Sequence, residues 1–61
     1  MRKIINNRNL NITKKEEEVL LNKLKDVFTI EPLMVLCKNK VFFVQMNNKK
    51  QFELNNISLV V

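Results

Sequence analysis

Three groups of residues in this chain have side chains that can do chemistry. Glu16, Glu17 and Glu18 are successive carboxylates, Cys37 is a thiol, and Arg2, Lys3, Arg8, Lys38, Lys40, Lys49 and Lys50 are cations. A carboxylate pair can act as acid and base or hold a metal ion, but neighbouring residues on a helix point in different directions. The triplet therefore reads as a solvated first helical turn, matched to the positive end of the helix dipole. A thiol acts as a nucleophile or zinc ligand only with help. The 61-residue sequence has no histidine to activate Cys37 and no second cysteine to complete a metal set. Cys37 reads instead as a small buried hydrophobe. With no glycine at all, a phosphate-cradling loop also lacks its usual residue. The expectation is a protein that is not an enzyme and carries neither metal nor cofactor.

The cations point to a different activity. Eleven basic residues against six acidic ones give a net charge of +5, a field that attracts polyanions and speeds association with them. The same lysine- and asparagine-rich composition also arises from AT-rich coding, so charge alone does not choose a ligand. The seven cations Arg2, Lys3, Arg8, Lys38, Lys40, Lys49 and Lys50 are the candidate nucleic-acid contacts. Several flank the stretch KVFFVQM, which sets Phe42 and Phe43 inside a fence of lysines.

The elements that position these residues are legible from pattern. Thr13 with Glu16 three residues later forms a capping box, and Leu20, Leu21, Leu24, Val27 and Phe28 repeat at helical spacing. A helix is expected from about Thr13 to Phe28. Pro32 disfavours helix at Glu31, and strands follow. Residues 33–37 and 41–46 pair across a two-residue turn at Lys38-Asn39, with Asn39 taking the left-handed conformation in place of glycine. A second hairpin is expected to close at Asn55-Asn56, between residues 51–54 and 57–61. The N-terminal RKII adds a short strand, followed by a polar lead-in through residue 12.

This predicts one domain over residues 1–61, of the α+β class: one amphipathic helix on an antiparallel sheet of three to five strands, in the order (β)αββββ. The predicted core is Leu20, Leu24, Val27, Phe28, Val35, Phe42, Val44, Phe52, Leu54, Ile57 and Leu59. One helix covers only one sheet face. Met34, Leu36, Val41 and Phe43 fall on the other face and are the candidate protein interface. Pairing along the C-terminal strand, residues 57–61, would extend it.

The segment NITKKEEEVLLNKLKDVF followed by NKVFFV resembles the opening of small ribosome-assembly factors built from an N-terminal pre-PUA domain and a C-terminal PUA domain. Thr13, Glu16, Val19, Lys23 and residues 40–44 carry the likeness, over about half of the chain. The family's RNA-binding PUA domain would lie after residue 61, so no RNA-site residue carries over. The resemblance implies ribosomal or other RNA–protein assemblies.

Two functions follow as expectations. One is a small basic protein that docks on RNA or a ribonucleoprotein such as the ribosome. The other is a protein-interaction module, a homodimer or an inhibitor-like protein of a mobile element, that binds through the apolar sheet face. No signal peptide is expected, because Arg2 and Lys3 precede only two apolar residues. The longest apolar run, residues 33–37, is far too short to span a bilayer. A lone thiol suits a reducing compartment, so a cytoplasmic protein without membrane contact is expected.

Overall fold

Thr13 starts the helix through reciprocal hydrogen bonds. Its backbone N–H donates to Glu16 Oε1 at 3.0 Å, and the Glu16 N–H donates to Thr13 Oγ1 at 3.1 Å, which satisfies two donors that the helix itself leaves open. The computed structural model describes residues 3–60. Its elements are β1 (Ile4–Ile5), α1 (Lys14–Leu24), β2 (Leu33–Cys37), β3 (Lys40–Met46) and β4 (Phe52–Leu59). The helix stops four residues short of Phe28. The Val27 N–H bonds the Leu24 carbonyl at 3.1 Å, a tightened final turn that ends the ladder. Phe28 therefore leaves the apolar stripe and is 72% exposed, a correction to the predicted core.

The α+β class holds, with four strands in the order β1-β4-β3-β2. The sheet is mixed rather than wholly antiparallel. β1 runs parallel to β4, with Ile4 opposite Phe52 and Ile5 opposite Glu53. A parallel neighbour needs a long crossover, and the chain supplies one: it leaves β1, forms α1, and only then lays down the antiparallel run β2-β3-β4.

The first hairpin has the expected register, with Leu33 opposite Val44, Val35 opposite Phe42, Met34 opposite Phe43 and Leu36 opposite Val41. Its left-handed residue is Lys38, at φ 56, rather than Asn39. Positive φ at the first turn residue alone is the pattern of a type II′ turn.

No hairpin closes at Asn55-Asn56. β4 runs straight through them, and the chain reverses earlier, at residues 47–50. There the Asn47 N–H bonds the Gln51 carbonyl at 2.8 Å and the Lys50 N–H bonds the Asn47 carbonyl at 3.1 Å, while Lys50 sits at φ 61. This is a three-residue loop whose last residue is left-handed, a position that favours glycine. Asn47 organises it: Oδ1 accepts from the N–H groups of Lys49 and Gln51 at 2.9 and 3.0 Å.

Asn55 has another role. Phe43 faces Asn56 while Val44 faces Leu54, leaving Asn55 as the extra residue of a bulge. An extra residue shifts the alternation of side chains by one. Phe52, Leu54 and Ile57 then share one face despite their uneven spacing. The sequence pattern grouped these residues correctly for the wrong topological reason.

The core on that face is Ile4, Leu20, Leu24, Val35, Cys37, Phe42, Val44, Met46, Phe52 and Leu54, with Val27 and Ile57 packed partly buried against it. Ile4 and Met46 join the predicted set, and Cys37 is the buried, free thiol expected of it. Leu59 was expected inside and is 66% exposed. It faces Lys40 at the last register position of β3–β4, where α1, which packs on β2, gives it no cover.

Candidate interaction surfaces

The candidate cations do not form one surface. Lys38 is exposed in the β2–β3 turn, and Lys49 and Lys50 are exposed in the β3–β4 turn. The seven residues of β3 separate these turns by about 20 Å. Lys3 is exposed just before Ile4, whose partner Phe52 lies two residues after Lys50. Lys3, Lys49 and Lys50 thus gather at one end of the sheet. Arg8 is exposed in the lead-in to α1, a segment tied by the Asn6 side chain, which donates to the Leu10 carbonyl at 2.8 Å and accepts the Leu10 N–H at 2.9 Å. Arg2 lies outside the described residues.

Lys40 differs from the other lysines. Its Nζ is 3.0 Å from Glu16 Oε2, the one ion pair among the described residues. Glu16 therefore serves two elements: one carboxylate oxygen closes the capping box and the other pins the start of β3. The backbone hydrogen bond from Thr13, and then the Lys40 ammonium, hold its carboxyl below the usual carboxylate range. The triplet read as a solvated first turn contains one carboxylate with a structural role. Its signal in the sequence was the capping box, which named Glu16 alone.

The same contact shapes a cleft of about 230 Å³ between the helix start and the β2–β3 turn, floored by Val19 and Cys37 and rimmed by Lys15, Lys38 and Lys40. A more open depression at the other end is lined by Ile5, Asn47, Lys49 and Glu53. Among the described residues no group of three histidine, cysteine or carboxylate side chains is placed to hold a metal ion. Among the same residues no helix is long and apolar enough to cross a membrane.

Met34, Leu36, Val41 and Phe43 do share the face opposite the core, as their register requires. Met34 is 72% exposed and Leu36 56%, whereas Val41 and Phe43 are partly covered. Across β4 the face turns polar, with Asn56 beside Phe43 and Ser58 beside Val41. The apolar patch is therefore confined to β2 and β3.

Two strand edges are without a strand partner over most of their length among the described residues. β1 pairs only with Phe52 and Glu53, so the far edge of β4 over residues 54–59, which includes the edge that the sequence suggested, has no neighbouring strand; the other is the far edge of β2, an outer strand. Its neighbour on the helix side is Lys23, whose Nζ donates to the Leu36 carbonyl at 2.7 Å. A lysine against an edge carbonyl is a usual way to blunt strand-to-strand association, and nothing in the helical pattern distinguished Lys23 for this task.

Comparison of the chain with protein-family models, with curated proteins and with solved structures finds no match.

Proposed function

We propose that this chain is a non-catalytic docking domain for RNA or a ribonucleoprotein such as the ribosome, acting in the cytoplasm. The observation that supports this reading most is the state of its cations. Lys3, Arg8, Lys38, Lys49 and Lys50 are exposed, and the one ion pair among the described residues uses Lys40. The positive excess is thus available to phosphates at both ends of the sheet. The resemblance to the pre-PUA segment of ribosome-assembly factors leans the same way.

Binding of purified chain to ribosomes and to protein-free ribosomal RNA, measured across a salt series, tests this. Each phosphate neutralised steepens the fall of log K with log salt by about 0.7 on single strands and 0.9 on duplex DNA. Replacing Lys38, Lys49 and Lys50 by alanine should flatten the slope in proportion. Binding that ignores salt and survives the triple substitution defeats the reading.

A second reading rests on the uncovered apolar patch of β2 and β3: a protein-interaction module that binds through Met34, Leu36, Val41 and Phe43. Patches of this kind, rimmed by polar residues, mark contact sites more often than chance exposure does. Salt-insensitive binding to a protein, lost on Met34→Ser with Leu36→Ser but unaffected by the lysine substitutions, would favour it over the first.

A further inference from the structure

We propose that the cleft between the start of α1 and the β2–β3 turn takes one unpaired base of a single-stranded RNA. Lys15 and Lys38 would hold the phosphates on either side of that base. The inference rests on the ribonucleoprotein reading and deepens it, by naming the state of the RNA and the part of the surface that selects it.

The cleft combines an apolar floor with cationic walls. Val19 and Cys37 form the floor, Lys15 and Glu16 come from the helix side, and Lys38 and Lys40 come from the β2–β3 side. Its volume of about 230 Å³ lies below the roughly 300–1,000 Å³ of pockets that take drug-sized ligands, so it suits a single ring. Glu16 is the one acid in the lining, and its carboxylate is already engaged by Lys40 at 3.0 Å and by the Thr13 N–H. The helix end is not the anchor either, because the Glu16 N–H donates to Thr13 Oγ1. Lys15 and Lys38 are exposed and belong to no ion pair among the described residues. Two uncommitted cations thus stand on opposite walls of a small apolar hollow. A nucleotide within a strand has its base between two phosphates, and so matches the floor and both walls at once.

The pattern continues along the sheet. Cys37 pairs with Lys40 and Lys40 with Leu59, a row of three on the helix side. Leu59 is the exposed end of this row, and an apolar ledge beside Lys40 gives the next sugar or base a place to pack. A duplex keeps its bases stacked inside and offers such a cleft only backbone, whereas the bases of a single strand can be splayed out. The floor carries no aromatic ring, so selection should favour unpaired over paired RNA more than one base over another.

The lone thiol makes occupancy measurable, since Cys37 lines the cleft and is 7% exposed. Two readouts on the full chain serve: the Val19 methyl signals in an NMR spectrum, and the rate at which N-ethylmaleimide modifies Cys37. The probe is an oligouridylate of about eight nucleotides, within the span that small single-strand-binding folds cover. It should shift the Val19 methyls and slow the modification several-fold. An abasic strand and an RNA duplex of the same length bring the same phosphates and should leave both readouts unchanged. Lys15→Ala should lower the slope of log K against log salt for the oligouridylate by about 0.7. Lys14→Ala, at an exposed neighbour outside the cleft, should leave that slope nearly unchanged.

If the RNAs bind and neither Val19 nor Cys37 responds, the inference fails and the docking reading stands. If no RNA binds, both fail. Equal responses to the abasic strand, or to oligoglutamate, would mean that the cleft answers to charge or to an acidic protein, and either overturns the inference. Equal loss of slope in Lys14→Ala and Lys15→Ala overturns it too. The methyl signals decide alone if Cys37 resists the reagent.

Discussion

Two lysines hold backbone conformations that a glycine-free chain has no cheap way to supply. Lys38 and Lys50 have φ of 56 and 61 in the two hairpin turns. A residue with a Cβ in this region costs roughly 1–2 kcal/mol, because Cβ crowds the following carbonyl. Glycine avoids that clash but loses more backbone freedom on folding, about 0.5–1 kcal/mol. Lys50→Gly should therefore stabilise the protein by about 0.5–1 kcal/mol, and Lys38→Gly by a similar amount. The turns lie at opposite ends of β3, too far apart to couple, so the two gains should add to about 1–2 kcal/mol.

In a chain this small, 1 kcal/mol moves the melting temperature by up to about 8 °C. The double variant should thus melt about 4–15 °C higher in a thermal scan followed by circular dichroism. Lys49→Gly is the matched control. It removes the same charge from the same turn at a residue without positive φ, and it should be neutral or slightly destabilising. If Lys49→Gly and Lys50→Gly shift the midpoint equally, charge or general turn flexibility is responsible and the backbone argument fails.

Three further outcomes follow from contacts already described. Glu16→Gln leaves the capping box short of a charge and Lys40 without its partner, and should cost about 1 kcal/mol by urea titration. In the native protein the folded-state pKa of Glu16 is depressed, so its contribution is full above the ordinary carboxylate range and is lost as pH falls through the lowered value. An acid titration of stability should therefore show a loss below that range that is smaller in Glu16→Gln. Leu20→Ala and Phe42→Ala each empty a fully buried site and should cost about 3–5 kcal/mol, enough to unfold a domain whose total stability is of order 3–9 kcal/mol; a cooperative melt near the native midpoint would refute the core assignment. Asn47→Ala removes the acceptor for two turn N–H groups and should cost about 1–2 kcal/mol, with the largest amide shifts at Lys49 and Gln51 in an NMR spectrum.

What the sequence disclosed divides along a physical line. Contacts between near neighbours were readable: the Thr13–Glu16 box, the two-residue turn after Cys37, and the full register of β2 on β3 follow from local chemistry and side-chain alternation. Asparagine was the residue that misled. Asn39, Asn47-Asn48 and Asn55-Asn56 carry the same turn signal, yet the first leaves the left-handed position to Lys38, the second anchors a loop through its side chain, and the third makes a bulge. A residue that tolerates irregular backbone marks where irregularity falls without saying of which kind. The parallel pairing of Ile4 with Phe52 spans 48 positions and has no local signature at all. That Met34, Leu36, Val41 and Phe43 share one face was legible because it depends on alternation. The separation of the cations to two ends was not, because it depends on which strands are neighbours.

The bulge at Asn55 links these observations to the open face. If Asn55 paired in regular register instead of bulging, Ile57 would fall on the outer face opposite Val41, and Asn56 and Ser58 would fall on the core face. The outer face would then be apolar across three strands, and the core would hold two unpaired polar side chains. The bulge instead keeps Ile57 inside and puts Asn56 and Ser58 outside, which restricts the exposed apolar patch to β2 and β3. The patch is thereby brought next to the outer edge of β2, where Met34 and Leu36 present exposed side chains. A surface restricted to one edge and its adjacent face has the geometry for strand addition, whereas an apolar sheet spanning three strands would favour indiscriminate association.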